Sequence, residues 1–204
     1  MIRGLIISAL IFLMAETPRF AYVFAQDLRT NDDGNIVVGA TVPITGPLAT
    51  SGLLYYNALQ MAEEDINAAG GIHGTSVDFI FEDTQQSNSA AVSAFIKVVQ
   101  DHDPVAVFLS SYTPQNFAVE PEVARAAIPV FYGGGADGLG QRGNIWMFRN
   151  KQPDSVIVDA MIDTVVNRLQ KSRPAILYIQ NDYGQGLAKD AEARFQELGI
   201  TPIL

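Results

Sequence analysis

Val37-Val38-Gly39-Ala40-Thr41-Val42, then Pro43, then Thr45-Gly46-Pro47-Leu48-Ala49-Thr50-Ser51-Gly52, and finally Asp65-Ile66-Asn67-Ala68-Ala69-Gly70-Gly71-Ile72-His73-Gly74 make up the stretch whose reading decides the fold. The first six residues are an apolar, β-branched run that Pro43 interrupts, as a buried strand would be. Leu59, Ala62, Ile66 and Ala69 then recur at three and four, a helical period, and Gly70-Gly71 stand where such a helix stops. A strand, a small-residue loop and a helix aimed back at the strand's end make a corner that receives an anion or a zwitterion.

The alternation continues downstream. Short apolar runs at 77–82, 105–109, 129–132, 145–148 and 175–180 read as strands. Helical patterns lie between them: Val92, Phe95, Ile96 and Val99 share a face behind a cap at Ser87 or Asn88, and 156–169 and 187–198 behave likewise. Apolar strands alternating with helices predict an α/β fold, a parallel sheet sandwiched by helices. The polar stretch Asn150-Lys151-Gln152-Pro153-Asp154 is the candidate boundary, giving one lobe over 36–149 and the start of a second over 150–204.

The 204 residues are 48% hydrophobic and 17% charged, with a formal charge of −9. That is globular composition, and the acidic balance excludes a nucleic-acid partner. The absence of cysteine excludes a disulfide, a Cys-ligated metal and a lipid-modified N-terminal cysteine. Arg3, the apolar run Gly4 to Ala15 and the small-x-small triplet Val23-Phe24-Ala25 read as an export signal over 1–25, cleaved near Ala25. An uncleaved anchor would have to carry Glu16, Pro18 and Arg19 within its span. Residues 26–35 form a flexible lead-in, and the expected location is periplasmic.

Two loops follow strand ends, where open α/β sheets bind ligands. Ser110-Ser111-Tyr112-Thr113-Pro114-Gln115-Asn116 offers hydroxyls and N–H groups at a helix start, which suits either a carboxylate or an ordinary helix cap. These alternatives differ in consequence. A ligand-binding Thr113 in an open cleft would contribute to affinity alone, and a cap would contribute to stability alone. Tyr132-Gly133-Gly134-Gly135-Ala136-Asp137-Gly138 lets a ligand approach the backbone closely. Gly133, Gly135 and Gly138 also satisfy G-x-G-x-x-G, but Leu139 to Asn144 reads as a turn-rich loop rather than the helix a dinucleotide site needs. Asp182-Tyr183-Gly184-Gln185-Gly186 places Tyr183 either beside a ligand or in an exposed turn. The two histidines, His73 and His102, lack metal-ligand spacing, and Ser110 and Ser111 lack the glycines of a nucleophile elbow. No catalytic residue, metal or cofactor is expected.

Thr45-Gly46-Pro47-Leu48-Ala49, Asp65-Ile66-Asn67-Ala68-Ala69-Gly70-Gly71, Ile128-Pro129-Val130, Phe148-Arg149 and Asp182-Tyr183-Gly184-Gln185-Gly186-Leu187-Ala188 resemble, in order and spacing, the leucine/isoleucine/valine-binding-protein family. These are amino-acid receptors of ABC importers. The resemblance implies a two-lobed periplasmic-binding-protein type I fold whose second lobe is incomplete in this chain. It implies capture of a small polar ligand, an amino acid of branched-chain type or an amide, without chemistry, and delivery to a membrane permease. A sensory ligand-binding domain is the alternative with the same cleft. By position, Thr113 would hold the ligand carboxylate, Gly134, Gly135 and Ala136 would offer main-chain groups, Tyr183 would supply an aromatic from the second lobe, and Ser51 would stand where some members carry an aromatic. The family's acidic partner for the ligand ammonium would lie beyond Leu204. A segment 26–204 on its own is expected to expose sheet edge and apolar helix surface and to be poorly soluble.

Overall fold

The computed structural model describes residues 29–203; the expected signal region lies outside them. Five strands form one sheet: β1 (Ile36–Val42), β2 (Val77–Asp83), β3 (Ala106–Leu109), β4 (Val130–Tyr132) and β5 (Met147–Arg149). Their order across the sheet is β2-β1-β3-β4-β5, parallel throughout, so the expected fold class holds. Helices α1 (Ala49–Ala68), α2 (Asn88–His102) and α3 (Thr113–Ala126) connect the first four strands, and one helical turn, α4 (Asp137–Gly140), precedes β5. The region after β4 is therefore not the pure loop its sequence suggests.

β1 is buried at every position because both faces are covered. Val37, Gly39 and Thr41 face α2; a Cβ on Gly39 would collide with Val98 of that helix, so glycine permits the close approach. Phe95, Val98, Val107, Leu109, Val119 and Val130 make the core on this side. Ile36 and Val38 face the other way, packing with Val77 and with Ile66 of α1. Gly52 docks α1 onto the end of β1, where a Cβ would collide with the Pro43 carbonyl. Asn67 latches the far end of α1 by bonding both the N–H and the C=O of Val77 at 2.8 Å.

The α1 side of the sheet carries an aromatic row. Phe79 and Phe108 lie 6.1 Å apart, Phe108 and Phe131 5.2 Å, Phe131 and Phe148 5.8 Å between ring centroids. Among the described residues α1 covers the β1–β2 end of this face, and Phe148 at the β5 edge is 47% exposed.

Beyond β5, α5 (Asp154–Asp163) runs into a π-helical turn at Thr164–Arg168, and α6 (Asp182–Glu197) packs on α5 through Val158, Ile162 and Phe195. The strand expected over 175–180 does not form. Ala175 makes a single bridge to Ile203, and Leu177 is fully exposed. A strand exists only when a neighbour takes its N–H and C=O groups, and the described residues bring no second strand alongside 176–180.

Asp83 fastens the β1–α1 corner. One of its oxygens accepts the N–H groups of Ile44 (2.9 Å), Thr45 (3.2 Å) and Gln85 (2.9 Å), and the other accepts the Thr45 hydroxyl at 2.5 Å. Burial pushes the carboxyl up, but the hydrogen bonds from Thr45, Gln85 and Ile44 outweigh it and hold it below its ordinary value of 3.8. A depressed folded pKa means a stabilisation that is present above the unfolded value and lost as pH falls through the folded one. Asp83→Asn keeps the shape and removes the titration. Thermal melts from neutral pH to about pH 2.5 should show a less stable variant with a shallower acid decline than the parent; parallel acid limbs would contradict this role.

Candidate functional site

Parallel strands end on one edge of the sheet, so the β1–α1, β3–α3 and β4–α4 loops meet there. The meeting point is the Gly133–Ala136 loop, buried at every residue. Buried peptide groups need partners, and named side chains provide them. The Gly134 N–H donates to Asn116 Oδ1 at 2.9 Å and the Gly135 N–H to Thr113 Oγ1 at 3.2 Å. The Gly135 carbonyl accepts from Arg149 Nη1 at 2.6 Å and from the Asp154 N–H at 2.9 Å, and the Ala136 carbonyl accepts from Arg149 Nη2 at 2.9 Å. Among the described residues the N–H and C=O of Gly133, the Gly134 C=O and the Ala136 N–H take no partner.

This changes the reason for the glycines. The space beside Gly134 is filled by Asn116 and by Leu139 Cδ1, 2.8 Å from where a Cβ would stand, and the space beside Gly135 by the Asp154 carboxylate. The protein's own side chains approach the backbone there, so the glycine run serves internal packing. Gly135 has both its polar groups engaged inside the protein, unlike Gly134 and Ala136.

Thr113 is 1% exposed. It does not lie in an open cleft, and it is not a cap either: α3 begins after Tyr112 without a side-chain cap, and the Thr113 oxygen is spent on Gly135. Around it, Gln115 Oε1 accepts from the Ser110 hydroxyl at 2.8 Å, Gln115 Nε2 donates to Thr84 Oγ1 at 2.9 Å, and Asn116 Nδ2 donates to the Ser110 carbonyl at 3.0 Å. Gln115 and Asn116 are as buried as Thr113, at 1% each. The sequence reading missed this pair; the available signal was two amides following Pro114 in a helix's first turn.

Ser51 is exposed in the first turn of α1 and has no hydrogen bond to the loop. Tyr55, one turn later on the same face, reaches it: a Cβ on Gly133 would stand 2.9 Å from the Tyr55 hydroxyl and 3.0 Å from Ser111 Cβ. Tyr55 was also missed, and its i, i+4 relation to Ser51 was the clue.

From the other side, α6 rests on the loop, with a Cβ on Gly186 3.5 Å from that of Ala136. Asn181 caps α6 by accepting the Gly184 N–H at 3.0 Å. Tyr183, in the first turn, is 39% exposed. Burial raises its phenol, and the charge of Asp154 adds to the shift. The structure thus brings Thr113, Gly134, Gly135 and Ala136 into one hydrogen-bonded unit and sets α6 against it, while Ser51 stays apart. Among the described residues no three His, Asp or Glu side chains are arranged to hold a metal ion. Hollows lie along α5 and between α5 and α6, lined by Val158, Met161, Ile176 and Leu187. These are apolar helix surfaces without the polar groups that orient a small ligand.

The parallel α/β sheet thus carries a buried, backbone-rich loop at the strand ends where such sheets bind ligands, with α6 set against it. The chain belongs to the periplasmic binding protein family, whose sequence profile matches residues 35–204. It is 32% identical over 180 residues to an amino acid binding protein of Pseudomonas aeruginosa, covering 87% of this chain and 48% of the relative. It is 28% identical over 172 residues to Leu/Ile/Val-binding protein homolog 3 of Brucella melitensis, covering 83% and 46%. The chain therefore spans about half the length of the curated relatives it matches. Among solved structures it resembles the branched-chain amino acid substrate-binding protein LivJ of Streptococcus pneumoniae in complex with isoleucine, with a TM-score of 0.75 at 24% identity over 83% of this chain and 48% of that one. A fatty acid ABC transporter substrate-binding protein of Thermomonospora curvata gives a TM-score of 0.75 at 18% identity over 85% and 44%. At these identities the structural likeness carries the fold alone, and neighbours with different cargoes share it.

Replacing Thr113 by Val leaves the buried Gly135 N–H unpaired. The variant should lose about 1–3 kcal/mol of stability without any ligand present, and Thr113→Ser should restore most of it. Denaturant melts check this; an unaltered midpoint for Thr113→Val would remove the Thr113–Gly135 bond from the account.

Proposed function

We propose that the protein is an exported, extracytoplasmic solute receptor that captures an amino acid of branched-chain type and hands it to the membrane permease of an ABC importer. The observation that carries this reading is the set of unpaired backbone groups in the buried Gly133–Ala136 loop. The Gly134 C=O and the Ala136 N–H offer one acceptor and one donor two residues apart. A zwitterion needs that combination, because an amino acid presents donors on its ammonium and acceptors on its carboxylate, and neither charge can be buried unpaired at low cost. Thr113, whose oxygen accepts from Gly135, keeps its own hydroxyl proton to donate to the carboxylate. Tyr183, in the first turn of α6, supplies an aromatic from the far side of the loop. The amino-acid-binding relatives support the ligand class, and a binding role without chemistry accords with their names.

Ala136→Pro tests the donor cleanly. Ala136 has φ −54°, ψ 127°, already inside proline's range, so the change deletes the N–H without straining the backbone. In the full-length protein, calorimetric titration with L-leucine, L-isoleucine and L-valine should show binding, and Ala136→Pro should weaken it about 10- to 100-fold with little change in melting temperature. Equal affinity in parent and variant would take Ala136 out of the site. Deletion of the gene should abolish uptake of the bound amino acid; unaffected uptake with a lost transcriptional or chemotactic response would mean sensing instead.

A further inference from the structure

Among the described residues β2 is the last strand on its side of the sheet. Alternate residues of a strand turn their N–H and C=O groups toward opposite neighbours. The Ile36 N–H donates to the Ser76 carbonyl and Ile36 stands opposite Val77, so Asp78, Ile80 and Glu82 bond β1. Val77, Phe79 and Phe81 then turn their backbone groups outward, to the free edge. A row of this kind is a template for another strand.

Here the row is filled in part from α1. Asn67 Nδ2 donates to the Val77 carbonyl and Asn67 Oδ1 accepts the Val77 N–H, both at 2.8 Å, and Glu63 Oε2 accepts the Phe79 N–H at 3.3 Å. An amide that serves both the C=O and the N–H of one residue copies the pairing of an antiparallel strand. The spacing fits as well. Four helical residues rise about 6 Å and two strand residues about 6.6 Å, so Asn67 and Glu63, one turn apart, meet Val77 and Phe79 in step. Further along, the match turns apolar: the Tyr56 ring packs 4.4 Å from that of Phe81, and among the described residues nothing bonds the Phe81 N–H. Glu63 holds its place against its own preference. Burial raises its carboxyl, the Phe79 N–H pulls it back, and the charges of Asp78 and Glu64 raise it further.

The sequence of β2 names the strand that this edge would accept. An antiparallel pair of two copies centred on Ile80 aligns both β2 strands over their full length, with Phe79 opposite Phe81 and Val77 opposite Asp83. The proline-free run Phe79-Ile80-Phe81 suits such pairing, and Asp78 opposite Glu82 opposes it. Lys97 already pairs with Glu82, and Asn31 Nδ2 donates to Asp78 at 3.1 Å, so that repulsion is weakened. The side chains of α1 are the remaining bar.

We propose that the β2 edge is a latent self-association surface that fits a second copy of this chain, and that Asn67 and Glu63 hold it shut by standing in for the next strand. The proposal concerns the outer edge of the sheet and is independent of any ligand at the strand ends.

The test uses the full-length protein. Native-state amide exchange on the parent should find the Val77 and Phe79 N–H groups protected and the Phe81 N–H exchanging about 10-fold faster or more. Val77 exchanging as fast as Phe81 overturns the mask. Asn67→Ala should speed Val77 exchange about 10-fold or more and leave the inward-facing Ile80 unchanged, and Glu63→Ala should do the same to Phe79. Glu63→Gln keeps an acceptor and should behave as the parent. In sedimentation velocity the parent should stay monomeric at concentrations where the double variant Glu63→Ala, Asn67→Ala forms dimers, and in those dimers the Phe81 amide should become protected. A double variant that remains monomeric with its edge amides exposed shows an edge that does not pair. Dimers in which Phe81 still exchanges freely are joined elsewhere. Either result overturns the proposal. If the double variant loses its fold, the single variants decide by the same two readings: weak dimers with Phe81 protected support the proposal, and monomers with faster edge exchange overturn it.

Discussion

A buried peptide group without a hydrogen-bond partner costs about as much as a lost hydrogen bond, and the Gly133–Ala136 loop places several such groups out of reach of water at once. Much of the strand-end edge of the sheet is organised around meeting that demand. Asn116 and Thr113 enter from the first turn of α3, and Arg149 comes from the end of β5, forking across two carbonyls. Asn116 is itself fixed by the Ser110 carbonyl and Arg149 by packing against Tyr132. The loop is therefore held in shape by the protein's own side chains.

The same loop couples the two parts of the chain. Arg149 and Asp154 bracket the crossover, and both bond the Gly135 carbonyl, one by its guanidinium and one by its backbone N–H. Gly186 brings α6 against Ala136. The segment after the crossover is thus tied by hydrogen bonds and packing to the loop that bears the unpaired backbone groups.

The aromatic row on the α1 side and the open flank of α5 and α6 show apolar surface among the described residues: Phe148, Val156, Met161 and Leu177 are all well exposed. Curated relatives are about twice as long as this chain. A parallel sheet normally has both faces covered, and the row from Phe79 to Phe148 runs well past the end that α1 covers.

Local rules gave the strands β1 to β4, the long helices, the Ser87 cap and the stop at Gly70-Gly71, because hydrophobic period and turn chemistry act within a few residues. They also located the glycine loop at a strand end, and Thr113 near it. They did not show how those residues are packed. The glycines read as room for a ligand; tertiary packing fills that room with Asn116 and Asp154, residues 18 and 19 positions away in opposite directions along the chain. Thr113 read as either a ligand group in an open cleft or a helix cap, and the fold buries it against Gly135. The run at 175–180 has strand propensity, but a strand is decided by its neighbours. Asp154 looked like a polar linker residue, and only the three-dimensional structure leaves its second oxygen buried without a donor. Sequence by itself determined which segments are apolar and periodic, and hence the parallel α/β architecture. Which polar groups are satisfied, and which are left unpaired, was decided by tertiary structure, because hydrogen-bond partners are chosen by distance in space.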